Sequence, residues 1–335
     1  MGLTKENCLS LIIQLSIIIF FFIIVEVTLL FFFDYSHKIK GSIDCKKFNK
    51  EFNFHYYKKN CFISEKHWEN NTWIEYNFNQ YGRREFNLFP YQEKIAIFGD
   101  SFTAGVMVNI EDNFNYYAIN NLLKNKKTLH NYGVAAEEAD NIFNKLHFYN
   151  LDEYSIIIYA LTPNDFFDYL EKKTQFKSTY QNNFFDKLKK LLLSTATSRF
   201  LLHNLMSNDN IYFKTYMSRK PYSGYLNKTL NPEWINALEI FESNILKLPL
   251  SVKKKFNIFL LPQRAEVIAT RLGVYDDAFR SKIKEICLRN KINCAFSNLN
   301  NLAKIKNSHF AVDGHLTIEG NKFVANDFAI FINNF

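Results

Sequence analysis

Apolar positions along the chain follow three different rhythms. From Leu9 to Phe33 they are nearly continuous (LSLIIQLSIIIFFFIIVEVTLLFFF), with Glu26 the only charge. A helix apolar on every face and of this length crosses a hydrocarbon core of about 30 Å, so residues 1–33 are expected to be a membrane anchor. From 34 to 90 the chain turns polar and aromatic, rich in Asn and Lys, and reads as a stalk and an N-terminal extension packed on the main domain. From 91 to 335 short apolar runs alternate with stretches of helical spacing. Strands are expected over Lys94–Phe98, Thr128–Val134, Tyr154–Ala160, Phe256–Leu261 and Asn293–Phe296. Helices are expected over Val106–Asn125, Ala135–Tyr149, Pro232–Leu248, Asp276–Arg289 and Leu316–Ile332. The run YSIIIYA is apolar on both faces, as in a parallel strand covered on either side. Strands alternating with helices predict an α/β fold: a three-layer sandwich around a central parallel sheet of about five strands. Residues 168–232, Lys- and Phe-rich with helical spacing over Phe184–Met206, interrupt this rhythm and read as an insertion or lid.

Candidate chemistry gathers at the strand ends, where open α/β sheets place their sites. Gly99-Asp-Ser101 follows the first strand, Asn131-Tyr-Gly133 closes the second, and Pro163-Asn164-Asp165 follows the third. Asp313-Gly-His315 leads into the last helix. A serine at a strand-to-helix turn is held out of the core with its backbone N–H free, as a nucleophile requires. An imidazole titrates near neutral pH and can take the serine proton, and Asp313 is close enough in sequence to share its loop. The flanks GDSFTAG are not the G-x-S-x-G elbow of α/β-hydrolases.

This block resembles the first block of the SGNH (GDSL) hydrolase superfamily, membrane-tethered bacterial type. Ser101, Gly133, Asn164 and His315, in that order, match the residues that name it. The resemblance covers roughly residues 76–106 and 128–335, apart from the insertion, and implies an SGNH/flavodoxin-like sheet. It also implies Ser101 as nucleophile, His315 as base and Asp313 as its carboxylate partner. The oxyanion would be received by the backbone N–H groups of Ser101 and Gly133 and by the Asn164 side-chain amide. Many members place the acid three residues before the histidine. Val312 stands there and cannot serve, so the spacing is closer to that of membrane-tethered polysaccharide acetyl-transfer proteins. Asp100 is expected to bond loop N–H groups. The segment Tyr76–Phe86 resembles the N-x-x-G-x-R stretch before the first strand of many tethered members. There Gly82 would supply a positive φ, and Arg83 or Arg84 would either bind a carboxylate or lie in a solvated turn. Pro262-Gln-Arg264 is either a strand-end turn or the rim of the same crevice.

Composition narrows the picture. Of 335 residues 47% are hydrophobic, enough for a sizeable core. The formal charge of +8 suits an anionic envelope polymer or a membrane surface. The lysines are scattered and no nucleic-acid motif is present, so a nucleic-acid partner is not expected. No CxxC, HExxH, carboxylate cluster or glycine-rich phosphate loop appears, so no metal or cofactor is expected. No small-x-small site follows the apolar stretch, and Cys8 lacks a lipoprotein context, so the anchor is expected to stay uncleaved. Lys38, Lys40, Lys46, Lys47 and Lys50 after it would place the bulk of the chain in the cytosol. The paired Cys45/Cys61 and Cys287/Cys294 argue the other way if they form disulfides in an oxidising compartment. They could equally be four free thiols. With the resemblance, the domain is expected on the periplasmic or extracellular side. The expected function is a serine ester hydrolase acting through an acyl-enzyme on O-acyl (acetyl) groups of a cell-envelope glycan. An O-acetyltransferase built on the same residues, and a tethered glycan-binding or assembly protein that turns nothing over, are the alternatives.

Overall fold

The five runs read as strands of the main domain pair into one parallel sheet in the computed structural model of the chain. The structure describes residues 5–33, 36–42, 44–85, 93–123, 127–167, 169–170 and 194–335. Most of the first part of the expected insertion, including the start of Phe184–Met206, lies outside them. The strands are β1 (Lys38–Gly41), β2 (Lys46–Asn49), β3 (Phe54–Tyr57), β4 (Cys61–Lys66), β5 (Trp73–Phe78), β6 (Lys94–Gly99), β7 (Thr128–Asn131), β8 (Ile156–Leu161), β9 (Phe256–Leu260) and β10 (Asn293–Phe296). The main sheet runs β7-β6-β8-β9-β10, with every pair parallel.

Period-two alternation explains the three layers. Ile95, Ile97, Ile156, Ile158 and Phe259 face one side, under the terminal helix Ile318–Asn333 and the turns at 114–122. Ala96, Phe98, Ile157, Tyr159, Ile258 and Leu260 face the other, under helices Ala139–Phe148, Pro232–Leu246 and Ala278–Asn290. The chain leaves β6 for β7 on one side and returns to β8 on the other. The ends of β6 and β8 therefore flank a topological switch point, the crevice where such sheets bind ligands. Gly99 pairs with Ala160, which puts Ser101 and Thr162 at the same height above the sheet.

Several expectations are corrected. The N-terminal extension is a β unit: an antiparallel β1-β4-β5 sheet and a β2-β3 hairpin, joined by a Cys45–Cys61 disulfide. Its signal was present in Trp73–Phe78, where Ile74, Tyr76 and Phe78 are buried and Glu75 and Asn77 exposed. The helix expected over 106–125 is broken at Asn113. That side chain accepts from Asn115 N–H and donates to the Phe102 carbonyl (both 3.1 Å), so it caps the start of a shorter helical stretch, 114–122, instead of lying inside one. Residues 135–138 are not helical either: Ala136 has φ +54°, and the buried Glu137 carboxylate pairs with Lys145 and accepts His55 N–H. Helices Arg264–Arg271 and Asp209–Met217 were not anticipated. The far end of the expected insertion enters the core, with Tyr225 packed on Trp234 and Phe279. Ser10–Phe32 forms one helix long and apolar enough to cross a membrane, exposed along its length except at Glu26 and Leu29.

Candidate active site

Asp100 shapes the turn after β6. It is fully buried, accepting Phe102 N–H at 2.9 Å, the Asn164 amide at 2.9 Å and approached by the Thr162 hydroxyl at 3.1 Å. These bonds fold Ser101–Ala104 into a single helical turn with Ser101 as its first residue. A first-turn N–H has no helical acceptor, and Ser101 N–H makes no bond to any described residue. Burial pushes the Asp100 carboxyl up, against the lowering effect of Asn164, Phe102 N–H and the His315 charge.

His315 meets this turn from the last loop. Its Nε2 lies 2.7 Å from Ser101 Oγ, and its Nδ1 is hydrogen-bonded to Asp313 Oδ1. Gly314 between them has φ +87°, which lets both side chains project from one tight loop. Burial pulls the imidazole down, but the hydrogen bond and charge of Asp313, helped by Asp100, outweigh it and hold His315 above its ordinary value. Burial likewise pushes Asp313 up, and the bond and charge of His315 bring it below the usual carboxylate range. Phe102 packs against the His315 ring, centroids 4.9 Å apart. Among the other histidines, His309 is buried at Pro262 O and Ser308 Oγ, and burial takes it down to about 3.

Asn164 follows β8 and reaches the same cleft. One of its amide hydrogens goes to Asp100, and its oxygen accepts from Gln263. An amide has two donors, so one remains for a ligand beside Ser101. Gly133 is placed differently. A Cβ there would come within 2.7 Å of Ala104 N and the Thr103 side chain, so only glycine lets β7 approach the Ser101 turn. Its N–H, however, already donates to Asn131 Oδ1 at 2.9 Å.

The cleft over Ser101 has a volume of about 390 Å³. Asn164, Asp313 and His315 form its floor; Leu202, Met206, Tyr212 and Tyr216 form a wall from the lid helices Ala196–Ser207 and Asp209–Met217. Gln263 and Arg264 line it as well, so the segment after β9 is indeed a rim. Arg264 is committed to structure: it donates to Ala311 O and Met206 O and lies 3.9 Å over the Tyr212 ring. It thereby ties helix Ala196–Ser207 to the backbone of the loop before His315.

Arg83 and Arg84 are both buried, which corrects the picture of a solvated turn. Gly82 does have φ +73°. Arg83 pairs with Glu85 at 2.9 Å and donates to Tyr132 and Tyr154 hydroxyls. Arg84 donates to the carbonyls of Glu75, Ala104, Gly105 and Val108, clamping the extension to the loop behind Ser101. Sequence reasoning missed Glu69. Its side chain is fully buried, and its two oxygens accept Val312 N–H at 2.8 Å and Asp313 N–H at 2.7 Å. His203 of the lid stands 3.4 Å from the same carboxylate. A lone Glu in a polar loop offers no sequence pattern by which it could have been found. No group of three metal-ligating side chains occurs among the described residues.

No family model and no curated protein sequence matches the chain. Solved structures do. A lipolytic protein of the G-D-S-L family from Veillonella parvula is 12% identical, with TM-score 0.40, over 72% of this chain and 100% of its own. An acetylxylan esterase from Geobacillus stearothermophilus is 13% identical, with TM-score 0.41, over 72% and 94%. A psychrotrophic esterase from Pseudoalteromonas is 10% identical, with TM-score 0.39, over 72% and 97%.

Proposed function

We propose that this chain is a membrane-anchored serine ester hydrolase working through an acyl-enzyme. The observation that carries the reading is the continuous hydrogen-bonded line Asp313–His315–Ser101 at the floor of an open cleft. His315 Nε2 takes the Ser101 proton as Oγ attacks the ester carbonyl. Asp313 on Nδ1 fixes the tautomer and stabilises the imidazolium that forms. The carbonyl oxygen, now an anion, is received by Ser101 N–H and the second Asn164 amide hydrogen. Gly133 N–H would join them only by leaving Asn131. The intermediate collapses: the ester C–O bond breaks, and His315 returns its proton to the departing alkoxide. Water then enters by the same route in reverse and releases the acid.

The target we favour is an O-acyl, acetyl-sized group on an envelope glycan. The modest cleft and its aromatic wall of Phe167, Tyr212 and Tyr216 support it, as does the sequence resemblance. The Asp313-Gly-His315 spacing favours a second reading, in which a sugar hydroxyl replaces water and the product is an acetylated glycan. We infer further that the domain lies outside the cytoplasm. The two disulfides, Cys45–Cys61 and Cys287–Cys294, support this against the lysines after the anchor; trapped free thiols at all four positions in freshly isolated protein would refute it. The central test is Ser101→Ala. Turnover of p-nitrophenyl acetate should fall about a millionfold, and labelling by a fluorophosphonate should vanish. Undiminished labelling of the variant would remove Ser101 from the mechanism. Absence of any turnover by the unaltered chain would leave the tethered binding protein as the better reading.

A further inference from the structure

The lid helix Ala196–Ser207 is held at a defined depth along the apolar helix. Its first N–H groups have no helical acceptors, and Glu26 supplies them: one carboxylate oxygen accepts Ala196 N–H at 2.6 Å, the other Thr197 N–H and hydroxyl at 2.8 Å. Glu26 precedes Phe32, the end of the apolar stretch, by six residues. With a rise of about 1.5 Å per residue and a hydrocarbon core of about 30 Å, a centred span puts Glu26 roughly 7 Å inside the boundary. A carboxylate at that depth is costly unless its oxygens are satisfied, so the cap draws the lid helix to it. That depth is also where helices lying in a bilayer surface sit, roughly 5–10 Å into the headgroup and acyl boundary.

The lid helix is apolar on two sides. Leu202 and Met206 line the cleft over Ser101. Leu201 and Leu205, one position back on the helix, point outward and are 55% and 49% exposed. The inner pair is accounted for by the site. The lid helix also packs against the apolar helix.

We infer that helix Ala196–Ser207 lies in the bilayer surface with Leu201 and Leu205 in lipid, so that the Ser101 cleft opens against the membrane. Its substrate is then an O-acyl ester carried by a lipid-anchored molecule and not one free in solution. The inference rests on the reading of Ser101 as nucleophile and of Ser10–Phe32 as a membrane span. Placement is tested on the full chain in phosphatidylcholine–phosphatidylglycerol vesicles, in a Cys8→Ser background. A nitroxide on Leu205→Cys should be relaxed more by oxygen than by a water-soluble nickel chelate. The same label on Leu250→Cys, 76% exposed at the opposite end of the sheet, should show the reverse. Equal ratios at the two sites would overturn the placement, and so would dipolar broadening at Leu205, which would put a second copy there. The substrate class is tested with Leu201→Gln/Leu205→Gln. Turnover of p-nitrophenyl acetate should stay within about twofold, while turnover of an acetyl ester on a vesicle-embedded lipid falls about tenfold or more. Parallel falls, or none, would sink it. If the unaltered chain cleaves neither ester, the hydrolase reading fails and the substrate inference with it, while the nitroxide result still decides the placement.

Discussion

Ser101 and His315 share one hydrogen bond but are held by different parts of the molecule. The serine turn grows out of a central strand. Asp100 beneath it is answered by Phe102 N–H, Thr162 and Asn164, all at the ends of β6 and β8. The His315 loop has open space beside Gly314, and a partly exposed Asp313. Its anchors come from elsewhere: Glu69 of the extension holds the backbone of Val312 and Asp313, and Arg264, just after β9, holds the carbonyls of Ala311 and Met206. The ends of β6 and β8 therefore position Ser101, the proposed nucleophile, while the extension and the segment after β9 position His315, the proposed base. A change in the extension or lid is expected to reach the chemistry through His315 and to leave Ser101 in place.

Among the groups that support Ser101, the largest effect should come from the exposed side. Asp313→Asn should lower kcat about ten-thousandfold. It should also move the acid limb of the pH profile. His315 acts as a base only when neutral, so activity rises as pH climbs through its raised value. Asp313 is the main group holding that value up. In the variant the limb should shift to lower pH; a stationary limb would mean that Asp313 does not bear on His315 in solution.

On the sheet side the corresponding change is Asn164→Ala. It removes a donor that matters once charge develops on the substrate oxygen, so kcat should fall about a hundredfold or more with little change in KM. Asn164→Asp should be at least as harmful, because a carboxylate repels the oxyanion. Matched thermal melts separate this from simple unfolding, and near-normal kcat in a well-folded Asn164→Ala protein would exclude Asn164 from the oxyanion site.

What could be read from the sequence divides along the same line. The sheet and its strand ends were legible because short, continuously apolar runs between helical stretches have few other solutions; Ser101 and Asn164 each stand next to one, and His315 was legible from its place before the terminal helix. The short strands of the extension were not recognised, although Trp73–Phe78 alternates plainly; the Asn- and Lys-rich sequence around it hid the pattern. The break at Asn113 was illegible because the competing bond, to Phe102 O, is tertiary. Arg84 read as a carboxylate ligand or part of a solvated turn because nothing in its neighbours announces four backbone carbonyls converging on it.

Glu69 is the sharpest case, and the comparison predicts its behaviour. Removing its carboxylate leaves the N–H groups of Val312 and Asp313 without their acceptor, and a bond to a charged group is worth at most about 1.5–3 kcal/mol. Glu69→Ala should lower kcat about ten- to a hundredfold, with KM nearly unchanged. It should also move the acid limb in the same direction as Asp313→Asn, though less far, as the loosened loop weakens the bond to His315. Glu69→Gln keeps one acceptor and should recover part of both. A loss of stability without any shift of the limb would make Glu69 a fold residue only.

The smallest effect tests how rigid the sheet side is. Beneath Asp100, the Thr162 hydroxyl lies 3.1 Å from carboxylate oxygens of both Asp100 and Asp165. A hydroxyl has one proton to give, so the three groups are satisfied together only if one carboxyl carries a proton. Asp165 is the one. It is fully buried, and burial and then the Asp100 charge push it well above the ordinary range. Its other oxygen accepts Thr162 N–H and the Tyr159 hydroxyl. Protonated Asp165 can donate to Thr162, which donates to Asp100, and an asparagine amide reproduces that pattern atom for atom. Asp165→Asn should therefore keep kcat within about threefold. The sign of the pH linkage gives a second readout. A carboxyl whose folded value is raised adds stability below its unfolded value, and that stability is lost as pH rises towards the folded one. The variant should gain on the parent protein in thermal melts as pH rises above about 4. If Asp165→Asn instead unfolds more easily across that range, Asp165 is ionised, the proton belongs on Asp100, and the turn that presents Ser101 is less firmly built than the sheet around it.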